Sequence, residues 1–205
     1  MLTLSAVSAT VVRETTTSVD AILGAARKVI AARGSERFTM SAIAETAGVS
    51  RPTLYKWFPT RVDLLEALSV YEEELFGERL QAVVDAQRTP ASRLDAALRF
   101  LVTYLDGLMG PDPIGADPAS AIHALARSLE PQKATFTRLL GDGFDAVPAV
   151  RMGHLKREQA AELFLRLAYS HYLVPHDDPE VLLANMRSFA GLSRRSTTKG
   201  TRTAG

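Results

Sequence analysis

Residues 39–58 read TMSAIAETAGVSRPTLYKWF, and their spacing decides the fold. Two short helices that cross at a steep angle need particular residue sizes at particular places. Ala44 must be small, because the second helix packs over it. Gly48 stands where the turn needs a positive φ, which glycine adopts without steric cost. Ile43, Val49 and Leu54 supply the small core between the helices. Ser50 can cap the second helix, and Pro52 fits its first turn, where no N–H is required. The pattern Ala-x3-Gly-x5-Leu is that of a helix-turn-helix.

The charges in this region point to a polyanionic partner. Between residues 37 and 61 the basic residues are Arg37, Arg51, Lys56 and Arg61, against the single acid Glu45, a local net charge of +3. The whole chain of 205 residues carries a formal net charge of only +1, so affinity for nucleic acid must come from a patch and not from bulk charge. The second helix also carries Thr53, Tyr55 and Trp57. Short hydroxyls, aromatics, Arg and Lys are the groups that reach phosphates, thymine methyls and base edges. A helical hairpin that merely packs would account for the small-Gly-apolar spacing. It would not account for the aromatic and basic residues beside it.

Outside this stretch strand signals are few, and prolines and glycines punctuate a series of helical patterns, so the fold class is all-α. A first helix is expected near 19–33, capped by Ser18, with Ile22, Ala25, Ala26, Val29 and Ile30 on one face and Gly34 ending it. Thr60 and Asp63 have the spacing of a capping box and start a long helix reaching about residue 86. Beyond Pro90, Leu94, Leu98, Leu101, Val102, Leu105 and Met109 share a face. Residues 110–118, GPDPIGADP, form a loop, with Asp117 and Pro118 as N-cap and first residue of the next helix. Residues 131–150 read as helix interrupted at Gly141, Gly143 and Pro148. Residues 156–174 are helical up to Pro175, and a last helix spans about 178–190 and stops at Gly191.

These patterns divide the chain into four parts. Residues 1–17 are expected to form a loose arm. Residues 18–66 form the helix-turn-helix head, and 67–192 a second helical domain. Residues 193–205, SRRSTTKGTRTAG, read as a disordered basic tail.

Composition narrows the function. Apolar residues make up 46% and charged residues 23% of the chain, which suits a soluble globular protein with a real core. There is no cysteine, so disulfides, thiolate nucleophiles and Cys-ligated zinc are excluded. His123, His154, His171 and His176 lack the H-E-x-x-H spacing, and no metal or cofactor is expected. The start, MLTLSAVSATVV, has no basic region or long apolar run, so a signal peptide is not expected. No apolar run is long enough to span a membrane, and a cytoplasmic protein is expected.

At this point the chain resembles the DNA-binding domain of TetR-family repressors. The resemblance runs from Ala21 to Leu68, about a quarter of the chain. It is carried in order by ILGAARKVIAARG, FTMSAIAETAGVS, RPTLYKWF and PTRVDLLEAL. It implies a three-helix head, a long connecting fourth helix, a helical C-terminal domain, a homodimer, and a ligand that weakens binding to double-stranded DNA. In such proteins the threonine opening the second helix, the residues of the third helix and the basic residue opening the fourth contact the operator. Here those positions are Thr39; Ser50, Arg51, Pro52, Thr53, Tyr55, Lys56 and Trp57; and Arg61. Trp57 stands where Tyr or His is more usual.

The C-terminal half resembles the family only in its helical layout. Residues 161–174, AELFLRLAYSHYLV, are apolar on almost every face, which fits a helix packed on two sides. With the helix near 178–190 it could form a four-helix dimer interface, or else thicken a monomer core. Candidates for lining an effector pocket are Phe100, Tyr104, Met109, His123, Arg127, Phe136, Leu140, Tyr169 and Tyr172, a mostly apolar set in which Tyr104, His123 and Arg127 could anchor one polar end. The apolar members suit plain core equally well.

The resulting expectation is a repressor that binds a (pseudo)palindromic operator as a homodimer and is released by a small, largely apolar effector. A helical protein-binding adaptor and a constitutive DNA-binding dimer without effector are the alternatives. A helical enzyme is disfavoured, because no convergent carboxylate pair, Ser–His arrangement or glycine phosphate loop appears.

Overall fold

The structure is a computed structural model that describes residues 4–35, 37–108, 118–174 and 178–192; for 4–17, 105–108 and 120 it describes the backbone alone. The described residues contain helices and no strand. Helix α1 spans Leu4–Arg33, α2 Met40–Ala47, α3 Arg51–Trp57 and α4 Arg61–Asp85. Then come α5 Pro90–Leu108, α6 Pro118–Leu140, a 3-10 segment Gly141–Ala146, α7 Pro148–Arg151, α8 Arg157–Leu173 and α9 Pro179–Phe189.

The local signals of the head act as the sequence suggests. Thr39 in extended conformation accepts from Ala42 N–H at 3.2 Å and starts α2. Gly48 ends α2 at φ 69°, a left-handed conformation that a side chain would strain. Ser50 accepts from Thr53 N–H at 3.2 Å, and Pro52 occupies the first turn of α3. At the start of α4, Thr60 N–H donates to Asp63 Oδ2 at 2.8 Å and Asp63 N–H donates back to Thr60 Oγ1 at 3.1 Å, a reciprocal capping box.

Two expectations need correction. Residues 1–17 are not a loose arm throughout, because α1 runs unbroken from Leu4, and Ser18 lies inside the helix instead of capping it. No proline or glycine occurs between Leu4 and Leu23, so nothing local stops the helix from extending. The helix expected to begin near 131 is the second half of α6, which continues through Pro131. A proline inside a helix removes one backbone bond at a cost of about 3 kcal/mol. Packing of α6 against α4 and α8 offsets that cost. The interruptions at Gly141, Gly143 and Pro148 are real: the 3-10 segment and the start of α7 fall there. Met109, the loop 110–117, His176 and the tail 193–205 lie outside the described residues.

Apolar residues gather in two separate cores. The head core takes Ile22 and Ala26 from α1, Ile43 and Ala44 from α2, Leu54 from α3, and Leu64 and Leu68 from α4. The body core takes Phe76, Leu80 and Val84 from α4, with Leu98, Phe136, Phe144, Phe164 and Met186 from the later segments. Helix α4 is thus shared, its first half serving one core and its second half the other. An Arg187–Asp95 fork at 2.5 and 2.8 Å ties α9 to α5, and Lys133–Glu162 at 3.4 Å ties α6 to α8.

Candidate nucleic-acid interface

Helix α3 has a buried side and an open side. Leu54 is fully buried in the head core, which fixes the helix against α2. Arg51, Pro52, Tyr55 and Lys56 are exposed on the remaining surface, with Tyr55 at 48%. Thr53 and Trp57 are half-buried, and the Lys56 ammonium lies 5.8 Å from the centroid of the Trp57 ring. Ser50 and Thr39 are exposed and engaged as caps, Ser50 Oγ also lying 2.8 Å from Thr53 Oγ1. The structure therefore brings the expected residues of α3 together on one edge of the head, with Thr39 at the start of α2.

Arg61 has a role that the sequence did not reveal. Its guanidinium stacks on Phe38, 4.0 Å from the ring centroid, and donates to the backbone carbonyl of Ser35. It thus clamps the α1–α2 connection to the start of α4. Removing it should affect both folding and binding. Arg61→Ala is expected to lower head stability by about 1 kcal/mol, from the lost cation–π contact and hydrogen bond. It is also expected to weaken binding to all DNA sequences about equally, reducing the salt slope by roughly one. Melting curves and salt-dependent binding isotherms measure the two effects. A loss confined to one operator position would place Arg61 in a groove instead.

The effector candidates separate. Phe100 and Tyr104 line an open groove of about 380 Å³ between α4 and α5, together with Arg79, Ala82, Val83 and Thr103. Phe136 and Leu140 sit in the body core, Phe136 edge-on to Phe144 at 5.3 Å. Tyr169 is buried and donates to Gln132 Oε1 at 2.9 Å, and Tyr172 is buried as well. His123 and Arg127 are exposed on α6. None of these last six lines the groove.

A junction between head and body escaped the sequence reading. Arg27 of α1 pairs with Glu72 of α4 at 3.0 Å, and the Tyr104 hydroxyl of α5 donates to the Glu72 backbone carbonyl at 3.3 Å. Burial pushes the Glu72 carboxyl above its usual pKa, and the Arg27 guanidinium and the Tyr104 hydrogen bond pull it partly back. Burial also raises the Tyr104 phenol, which stays protonated and remains a donor.

The comparisons agree with this layout. The family described as "Bacterial regulatory proteins, tetR family" matches residues 22–68, the helices that build the head core. Residues 22–68 are thus similar to the DNA-binding domain of TetR-family regulators. Among curated relatives, the nucleoid occlusion factor SlmA of Vibrio vulnificus is 28% identical over 75 residues, which cover 37% of this chain and 38% of SlmA. The match thus spans well under half the length of either protein. Among solved structures, a putative TetR-family regulator from Vibrio parahaemolyticus superposes with TM-score 0.58 at 21% identity, covering 85% of this chain and 97% of its own. The TetR-family regulator CifR, as a cysteine mutant complexed with 26-bp double-strand operator DNA, gives TM-score 0.54 at 18% identity over 84% of this chain and 94% of its own. At those identities the structural likeness speaks for the TetR fold: a helix-turn-helix head on an all-α body. Among the described residues no helix is long and apolar enough to cross a membrane, and no cluster of His, Asp and Glu could hold a metal ion.

Proposed function

We propose that this protein is a ligand-responsive transcriptional repressor that binds a (pseudo)palindromic operator as a homodimer. The observation that carries this reading is α3, which buries Leu54 and leaves Arg51, Tyr55 and Lys56 exposed together. That is the form of a recognition helix, with its fold and its contacts assigned to different faces. Arg51 and Lys56 supply charge for phosphates or guanine edges, and Tyr55 and Thr53 supply apolar and hydroxyl contacts. The operator DNA in the CifR complex supports the choice of DNA as partner.

The test is a binding titration. Tyr55→Ala and Lys56→Ala are each expected to cost about 1–3 kcal/mol of operator binding with unchanged melting temperature. Affinity of the parent should fall steeply with salt, as counterion release requires. Both variants binding like the parent would overturn the recognition-helix assignment. Weak dependence on salt would favour a protein-binding adaptor.

The dimer reading rests on the last two helices. On α8, Leu163 and Leu167 are 38% and 37% exposed, and Val174 just beyond the helix continues their stripe at 77%. On α9, Val181 and Phe189 are 40% and 52% exposed. A second copy laying the same faces against these would bury them in a four-helix interface. Sedimentation at micromolar concentration should give twice the 22.2 kDa of one chain. Leu167→Glu should shift it towards the monomer, and a parent that sediments as a monomer refutes the reading.

The effector reading rests on the groove between α4 and α5, whose volume of about 380 Å³ suits a small molecule. An effector must bind better to the geometry that does not hold DNA, because equal affinity for both shifts nothing. A constitutive DNA-binding dimer is what remains if no small molecule alters operator affinity.

A further inference from the structure

The groove has a feature that a purely apolar effector would leave unused. Its α4 wall is Arg79, Ala82 and Val83, and its α5 wall is Phe100, Thr103 and Tyr104. Each set has the spacing i, i+3, i+4, which places three side chains on one helical face. Phe100 and Tyr104 pack against the fully buried Phe76 at 5.4 and 5.3 Å, one tilted and one edge-on, so the aromatic wall is backed from behind. Arg79 is the groove's one charged side chain, and among the described residues no ion pair is recorded for it. Its helical neighbours at three and four residues, Leu75, Phe76, Ala82 and Val83, are all apolar and offer it no partner. Glu72, two turns earlier on α4, is already held by Arg27 at 3.0 Å. The Arg79 charge also helps steady the Glu72 carboxylate from a distance, and Arg79 remains the groove's one charged group beside an aromatic and aliphatic wall.

We propose that the α4–α5 groove is the site of a monoanionic amphiphile, an apolar body with a single carboxylate held by Arg79. The proposal rests on the effector reading above and gives that effector a chemical class. A guanidinium presents a planar fork of donors that matches a carboxylate in two parallel hydrogen bonds. Thr103, exposed on the facing helix, donates its hydroxyl hydrogen to the Arg99 carbonyl at 3.1 Å, which leaves the carboxylate to Arg79. The apolar part lies against Phe100, Tyr104 and Val83. A dianion such as a phosphate monoester would leave one charge unmatched against a single guanidinium. The site also adjoins the junction to the head, because Tyr104 forms its wall and donates to Glu72, which holds Arg27 of α1. An occupant that shifts Tyr104 therefore disturbs the contact on which the head is seated.

The experiment uses the full chain and calorimetric titration with 2-naphthoate and decanoate, each paired with its alcohol, 2-naphthylmethanol and decanol. At least one acid is expected to bind about tenfold tighter than its alcohol, the worth of a charge-assisted hydrogen bond. In Arg79→Gln that preference should fall to about one, with the affinity for the alcohol unchanged. Arg79 is exposed, and an unchanged melting curve shows that the variant folds. Neither acid exceeding its alcohol, or a preference that survives Arg79→Gln, overturns the proposal. Operator affinity is measured separately. If an acid binds through Arg79 and operator affinity does not move, the site stands and the effector reading fails. If an uncharged molecule releases operator in Arg79→Gln as in the parent, the effector reading stands and this proposal fails.

Discussion

Leu54→Ala is expected to abolish operator binding while the body stays folded. Leu54 is fully buried at the centre of the head core. Truncating such a leucine costs about 2–5 kcal/mol, because the cavity it leaves is only partly refilled. At about 0.05–0.15 kcal/mol per residue, a head of some fifty residues has a stability of the same order. The substitution therefore spends most of what holds α3 in place. The body core shares no buried residue with the head core and should survive. Calorimetry should show the transition of the head lost or moved to low temperature and that of the body little changed. One transition shifted as a whole would mean that α4 makes the two cores unfold together. Tyr55→Ala is the control, since it should lose affinity without any thermal change.

Phe76→Ala is expected to do the reverse. Phe76 is fully buried behind the groove, packed on Phe100 and edge-on to Tyr104. Its truncation should cost about 3–5 kcal/mol of body stability. The rings of Phe100 and Tyr104 lose their support, so affinity for any groove ligand should fall as well. The head transition should stay near its original temperature. Phe76→Leu keeps most of the volume and should recover most of the stability, which separates packing from aromatic geometry. A Phe76→Ala protein with the parent's melting temperature would show that the three-ring cluster contributes little to the body.

The head was legible in the sequence because its determinants are local. Thr39, Ser50 and the Thr60–Asp63 box act over three residues, and Gly48 acts on its own backbone. The small side chain of Ala44 and the bulk of Leu54 are constraints within a few turns. The body was legible only as a row of helices. Which of Phe100, Phe136 and Tyr169 would line a groove depends on how α4, α5 and α6 sit against each other, and no spacing records that. The Arg27–Glu72 pair joins residues 45 positions apart and leaves no periodic trace. Arg79 did leave one, as an arginine whose helical neighbours at three and four residues are all apolar.

The start of α1 and the middle of α6 went astray for related reasons. The Ser- and Thr-rich composition of 1–17 suggested a loose arm, but the segment contains nothing that forbids a helix. Pro131 does oppose a helix, and packing over the whole length of α6 overrides one missing bond. In both places composition was weaker information than continuity.

Because α4 runs unbroken from Arg61 to Asp85 through both cores, it acts as an axle that sets the phase between them. Each residue of an α-helix advances about 1.5 Å and turns about 100°. A single residue inserted between Leu68 and Glu72 would keep both cores chemically intact and yet swing the head by more than a quarter turn about the body. In the proposed dimer the two recognition helices would then miss successive grooves of a duplex, although every side chain proposed to touch DNA were still present. Insertions of three or four residues come closest to a full turn and would nearly restore the bearing, with the heads carried some 5 Å outward. On the proposed function, the length of this one segment, counted in residues, therefore constrains which operator spacing can be read, independently of the residues that read it.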